Sequence, residues 1–287
     1  MALLMMLSFV SCSKDKSTDD FLKSTLDKMS SLDPVEQSIK MSISDTSNNA
    51  QLTQMVMNMK SNVNSKKFYC DVSYSMPIPQ SASAKLSMSI VGDNDKVFLK
   101  IPSIFPKYID ISDSKEGLEM KNSISQNSFN EKDSEYTQVL EKIFTDAIEK
   151  KSSLTTIKKT IRGTEQTLRE LSASLDETAV NDLLKEYVKD MLQSNPGSSN
   201  SQGGTNDIKA ATDSMAITNF KFTSDITEDF IPVYTTMSYT MKMGDSSFDV
   251  SMDLTIVNFG DEVKIPSINS DEIASPAETK KLPISFQ

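Results

Sequence analysis

The 287-residue chain has no histidine and no tryptophan, only 2 cysteines, and 8 glycines. Losing imidazole removes the commonest general base, the commonest transition-metal ligand and every His-dependent triad. No nucleophile elbow, phosphate loop or calcium loop occurs either. Basic residues are in deficit, with 30 Lys and Arg against 40 Asp and Glu and a net charge of -10, and the lysines are scattered. No basic stripe exists of the kind a phosphate backbone requires, so nucleic acid is not an expected partner. Acidic clusters such as Asp19-Asp20, Glu131-Lys132-Asp133 and Glu228-Asp229 fall in expected loops or helix starts, where carboxylates are solvated or cap helices. No enzyme and no cofactor are expected from this composition.

What is present starts at the N-terminus. Ala2 to Val10 is almost wholly apolar, shorter than the roughly 20 residues a helix needs to cross a bilayer and close to a signal h-region. Small Ser11 and then Cys12 follow. This resembles the bacterial lipobox, in which cleavage precedes a cysteine carrying a diacylglyceryl group. The expected organisation is a signal peptide over 1–11, a lipidated tether over 12–17 and a single domain over 18–287. The chain would then stand outside the cytoplasm, held at the membrane by the lipid on Cys12. An ordinary secretory peptide with Cys12 incidental is the alternative. If Cys12 is acylated, Cys70 has no intramolecular partner and reads as a small buried hydrophobe.

The domain opens with a helix expected from Thr18 to Ser31, carrying Phe21, Leu22, Leu26 and Met29 at helical spacing. Beyond Pro34 the apolar period becomes two, the mark of strands with one buried face. Ile39, Met41 and Ile43 alternate, as do Met55, Met57 and Met59, then Phe68, Cys70, Val72 and Tyr74, then Leu86, Met88 and Ile90. Val97 to Ile101 and Tyr108 to Ile111 continue the meander, with Pro102 and Pro106 indicating an edge or a bend. A second helix is expected over 134–150 and a third over 176–194. The segment 154–175 reads as a hairpin, because threonine is dense and Gly163 sits at a turn position, while Leu168, Leu171 and Leu175 also fit a helix. A Gly- and Ser-rich loop over 195–206 precedes a return to alternation at Met237, Tyr239, Met241 and Met243, then Phe248 to Ile256, with 263–266 closing the series.

A helix, a long antiparallel meander, helices inserted late, and the final segment Asn258-Phe259-Gly260-Asp261-Glu262-Val263-Lys264-Ile265-Pro266 resemble the exported lipoproteins with a LolA/LppX-like half-barrel. The chain is especially similar to clostridial and bacillar lipoproteins of uncharacterised function built on that plan. The resemblance implies an α+β fold, in which a curved antiparallel sheet is covered on its concave face by helices. It also implies a carrier of lipid or lipid-anchored cargo, and only Cys12 carries over as a functional position.

The 17 methionines bear on the ligand question. Many fall on the faces read as inward: Met41, Met55, Met57, Met59, Met88, Met237, Met241, Met243 and Met252, with Tyr239 among them. Unbranched thioethers repack around an ill-defined acyl chain, and Met-rich surfaces serve variable partners. The competing reading is that methionine fills a core poor in aromatics. Met41, Met55, Met57, Met59, Met88, Met237, Tyr239, Met241 and Met252 are therefore the expected lining of a hydrophobic ligand site between sheet and helices. A scaffold with a filled core, presenting 112–133 and 195–206 to an envelope protein, is the alternative.

Overall fold

The computed structural model describes residues 21–77 without 22, 23, 26, 30 and 49; 84–121 without 116 and 119; 152–174; 177, 178 and 181; and 215–280. Eleven strands form one sheet in these residues: β1 (Val35–Asp45), β2 (Gln51–Asn62), β3 (Lys67–Met76), β4 (Ala84–Asp93), β5 (Lys96–Ile101), β6 (Phe105–Asp110), β7 (Ser152–Ile161), β8 (Thr164–Ala173), β9 (Met215–Ile226), β10 (Pro232–Met243) and β11 (Ser246–Phe259). Their order across the sheet is β6-β5-β4-β3-β2-β1-β11-β10-β9-β8-β7. β6, which carries Pro106, is an edge strand, where a residue without a backbone N–H costs no ladder bond.

This overturns the α+β expectation of a helix-covered face. Among the described residues helix is confined to short pieces at 21–29, 115–121 and 177–181, two 3-10 turns and the four-residue helix Pro276–Thr279. They do not form a helical layer. The helix expected over 134–150 lies outside the described residues, and of that over 176–194 only 177, 178 and 181 are described, all helical. The described residues are instead almost all strand: the hairpin read from sequence over 154–175 is present, and β9 adds a further strand to the same sheet. Residues 152–173 form the hairpin β7–β8, whose turn residues Arg162 and Gly163 have φ of 51° and 80°, the left-handed pair that a two-residue hairpin turn demands. β9 was not expected as a strand at all. An irregularity at Asn219, with φ 56°, adds a residue opposite β10, so Ile217 and Phe220 are three apart and the period-two signal breaks. Residues 263–266, expected as a closing strand, are irregular, since β11 ends at Phe259 in the 3-10 turn Gly260–Glu262.

The described residues belong to two compact units, one drawn from Met1–Met29, Ser42–Leu52 and Lys132–Asp253, the other from Ser30–Met41, Thr53–Glu131 and Leu254–Gln287. In the first, Leu168, Leu171 and Ile226 are 0% exposed, and Phe21 packs its ring 5.3 Å from that of Phe230. In the second, each face of the sheet has its own core. Val97, Ile109 and Ile111 gather Phe68, Ile90, Leu99, Phe105 and Met120 on one side. Val91, Phe98 and Tyr108 gather Tyr69, Ile268 and Ile273 on the other. The C-terminal segment reaches that second cluster by a bridge between Ile273 and Tyr108, and Ala274 N–H donates to the Tyr108 carbonyl at 2.8 Å.

Candidate functional site

The register of the second unit sorts the methionines. Residues directly opposite on antiparallel strands share a face. Met55, Tyr74 and Leu86 therefore form one row across β2, β3 and β4; Met57, Val72 and Met88 form the next; Met59, Cys70 and Ile90 the third. The third row runs on into Leu99 and Ile109, part of the buried cluster, so the face grades from core at one end to surface at the other. At the open end Leu86 is 39% exposed and Met76 45%. Met55, Met57, Met59 and Met88 are half-buried.

Polar chemistry on this face is sparse. Gln37 of β1 is buried, and its Nε2 donates to the Met59 sulfur at 4.0 Å, a long contact to a weak acceptor. Met41 is half-buried and lies four residues along β1 from Gln37, on the same face by the strand's alternation. The Cys70 thiol is pushed up to about 11 by burial and secondarily by the charge of Asp71, so it is protonated at neutral pH and a poor nucleophile. The opposite face of β3–β5 carries polar groups beside the Val91–Phe98–Tyr108 core: Asp71 accepts from Tyr69 Oη and from Ser89 Oγ, each at 2.5 Å, and Lys100 Nζ stands 5.1 Å from the Tyr108 ring centre. Burial raises Tyr69 and Tyr108, with the Asp71 charge adding to both.

The remaining sequence-selected residues sit in the first unit. Met237 is opposite Phe222 and only 3% exposed, so it is core filler. Tyr239 is half-buried, stacked on Phe220 with ring centres 6.3 Å apart, and burial raises its pKa. Met241, opposite Ile217, and Met252 of β11 are half-buried. The nine selected residues thus divide between two units: Met41, Met55, Met57, Met59 and Met88 in one, Met237, Tyr239, Met241 and Met252 in the other. Cys12 lies outside the described residues.

Sequence reasoning missed a charged cluster in the first unit. Asp225 of β9 is 2% exposed, and its Oδ2 accepts from Lys159 Nζ at 2.7 Å, while Glu170 Oε2 lies 3.7 Å from the same ammonium. Asp225 Oδ1 is buried with no hydrogen-bond partner. Beside it Tyr234 Oη donates to Asp253 Oδ1 at 3.2 Å, and burial raises Tyr234 more than that carboxylate does. The signal available in sequence was weak. Lys159, Glu170 and Asp225 all sit in strands, where a charge ordinarily marks the solvated face. The flagged pair Glu228-Asp229 is exposed in the turn between β9 and β10. Among the described residues no group of three His, Cys, Asp or Glu side chains is placed to hold a metal.

No family model matches the chain. No curated protein matches it either. Among solved structures it is similar to the crystal structure of a beta-barrel-like protein of domain of unknown function DUF1849 from Brucella abortus, with 9% identity and a TM-score of 0.21 over 79% of this chain and 100% of that one. At that identity and superposition, neither ligand nor family passes from that protein to this chain.

Proposed function

We propose that this chain is anchored outside the cytoplasm by a lipid on Cys12 and holds an acyl-type hydrophobic ligand by burial against the methionine face of β2–β4. One observation carries the reading: three successive rows, Met55–Tyr74–Leu86, Met57–Val72–Met88 and Met59–Cys70–Ile90, offer thioether, aliphatic and aromatic surface without a charge, and the face ends in exposed Leu86 and Met76. An apolar strip of this kind gains by being covered, at about 25 cal/mol per Å² removed from water. Three-torsion thioethers adapt to a chain of variable length, which suits recognition by burial rather than by fixed polar contacts.

Native mass spectrometry with lipid extraction tests this on the full chain purified from lipid-containing cells. Co-purifying lipid of defined stoichiometry is expected, lost in Met57→Asp and retained in Met57→Leu. A clean apo mass after incubation with lipid would sink the reading and leave the filled-core scaffold in its place.

A further inference from the structure

Among the described residues Arg169 of β8 is a cation without a counter-charge. Its Nε is buried and has no hydrogen-bond partner, and no described carboxylate lies within ion-pair distance. The guanidinium carbon stands 5.4 Å from the Phe21 ring centre, and Phe21 in turn packs on Phe230. The register explains why no described acid of the neighbouring strands reaches it. Arg169 is opposite Ile226, whereas Glu170 is opposite Asp225, so these two carboxylates project from the other face of the sheet and are held there by Lys159. Glu165 is on Arg169's own face but four residues along an extended strand, about 13 Å away, and it is engaged by Lys158 at 3.3 Å. Arginine cannot relieve an unpaired charge by losing its proton, as a lysine or carboxyl group can. Stacking on Phe21 offsets part of the cost but satisfies no N–H.

We propose that Arg169 binds the anionic oxygens of a ligand, a carboxylate or a phosphate, with the Phe21–Phe230 pair as the apolar flank of the site. The planar fork presents parallel N–H donors matched to two oxygens of such a group, and this is the geometry that selects arginine over lysine. On its other side Arg169 is opposite Thr156 of edge strand β7, whose side chain is exposed, so the guanidinium lies between a wet threonine edge and dry Ile226 and Leu171. That gradient fits an amphiphile's head group, and a free small anion offers the same chemistry to the fork. The inference does not rest on the ligand reading of β2–β4.

Titration calorimetry of the full chain with decanoate, decanol and inorganic phosphate separates the sources. Decanoate is expected to bind at least about tenfold tighter than decanol, with the difference removed in Arg169→Gln and only partly restored in Arg169→Lys. Phosphate binding that disappears in Arg169→Gln would support the same site with a free anion as its ligand. Equal affinity for decanoate and decanol in the unmutated chain, without phosphate binding, would overturn the proposal whether or not the variants fold. Anion binding unchanged in a folded Arg169→Gln would overturn it as well.

Discussion

The ring of Phe68 lies over Gly92 of the neighbouring strand, with its Cε1 1.7 Å and its Cδ1 2.1 Å from where a Cβ on residue 92 would stand. The two are opposite one another on β3 and β4, in the row that follows Met59–Cys70–Ile90, and Phe68 packs against the Val97–Ile109–Ile111 cluster. A glycine here is a packing requirement, since the ring occupies the volume a side chain would take.

Gly92→Ala should therefore displace the ring and cost about 1–3 kcal/mol, the usual penalty for overpacking. Adding Phe68→Ala should make the pair less destabilising than the sum of the two single changes. Urea denaturation midpoints of the three variants measure this. Additive losses would show that the ring and the glycine are not coupled.

Lys159→Met removes the partner of a carboxylate that is 2% exposed and already has one oxygen unpaired. A loss of about 2–4 kcal/mol is expected, and Asp225→Asn should lose less because no charge is stranded. The hydrogen bond to Asp225 raises Lys159 above its ordinary value, against an opposing effect of burial. A raised folded pKa means the contribution is complete below the unfolded value of about 10.5 and is lost as pH climbs through the folded one. The stability gap between the parent and Lys159→Met should thus narrow only above about pH 10.5, read from denaturation at successive alkaline pH values.

Glu278 closes a capping box with Ser275 and pairs with Lys107 at 2.9 Å. The Ser275 backbone N–H, more than Lys107, holds its carboxyl down at about 2. A depressed folded pKa contributes stability above the unfolded value near 4.5, and this is lost as pH falls toward 2. Protection of the 277–279 amides, their exchange scaled to the intrinsic rate at each pH, should fall across that window in the parent, while Glu278→Gln should show low protection already at neutral pH. Protection factors that do not change between pH 4.5 and 2 would contradict the assignment.

Asn181 acts as a side-chain substitute for a strand. Its Nδ2 donates to the Ile217 carbonyl at 3.0 Å and its Oδ1 accepts from Ile217 N–H at 2.5 Å, at a point where β9 has run past its last pairing with β8 at Phe222. Glu177 Oε1 accepts from Asn219 N–H at 2.9 Å beside it. Asn181→Ala should cost about 1 kcal/mol and expose the Ile217 amide to exchange, with Phe222 left protected by its strand pairing. Equal exchange at Ile217 in parent and variant would remove this role.

Much of the sheet was legible from alternation alone. The stripes at Ile39–Ile43, Met55–Met59, Phe68–Tyr74, Leu86–Ile90 and Phe248–Ile256 are strands, because successive side chains on an extended backbone point to opposite faces and burial of one face leaves a period of two. Elsewhere that period fails or is ambiguous. At Asn219 one inserted residue shifts the phase and hides β9, and in β7–β8 both periods fit the same leucines until the left-handed turn at Arg162–Gly163 settles the hairpin.

The sequence by itself determined the strand-forming stripes, the acidic balance and the absence of imidazole, since each depends only on local order or on composition. Tertiary structure alone decided which methionine is core, as Met237 is, and which lies on a face graded from core to surface, as Met57 and Met88 do. It also decided that Lys159 meets Asp225 across 66 residues of chain and that Arg169 pairs with no acid among the described residues. Register is the reason: a one-residue slip in pairing would exchange the faces of a strand and with them every such neighbour, and no local pattern encodes a partner that far along the chain.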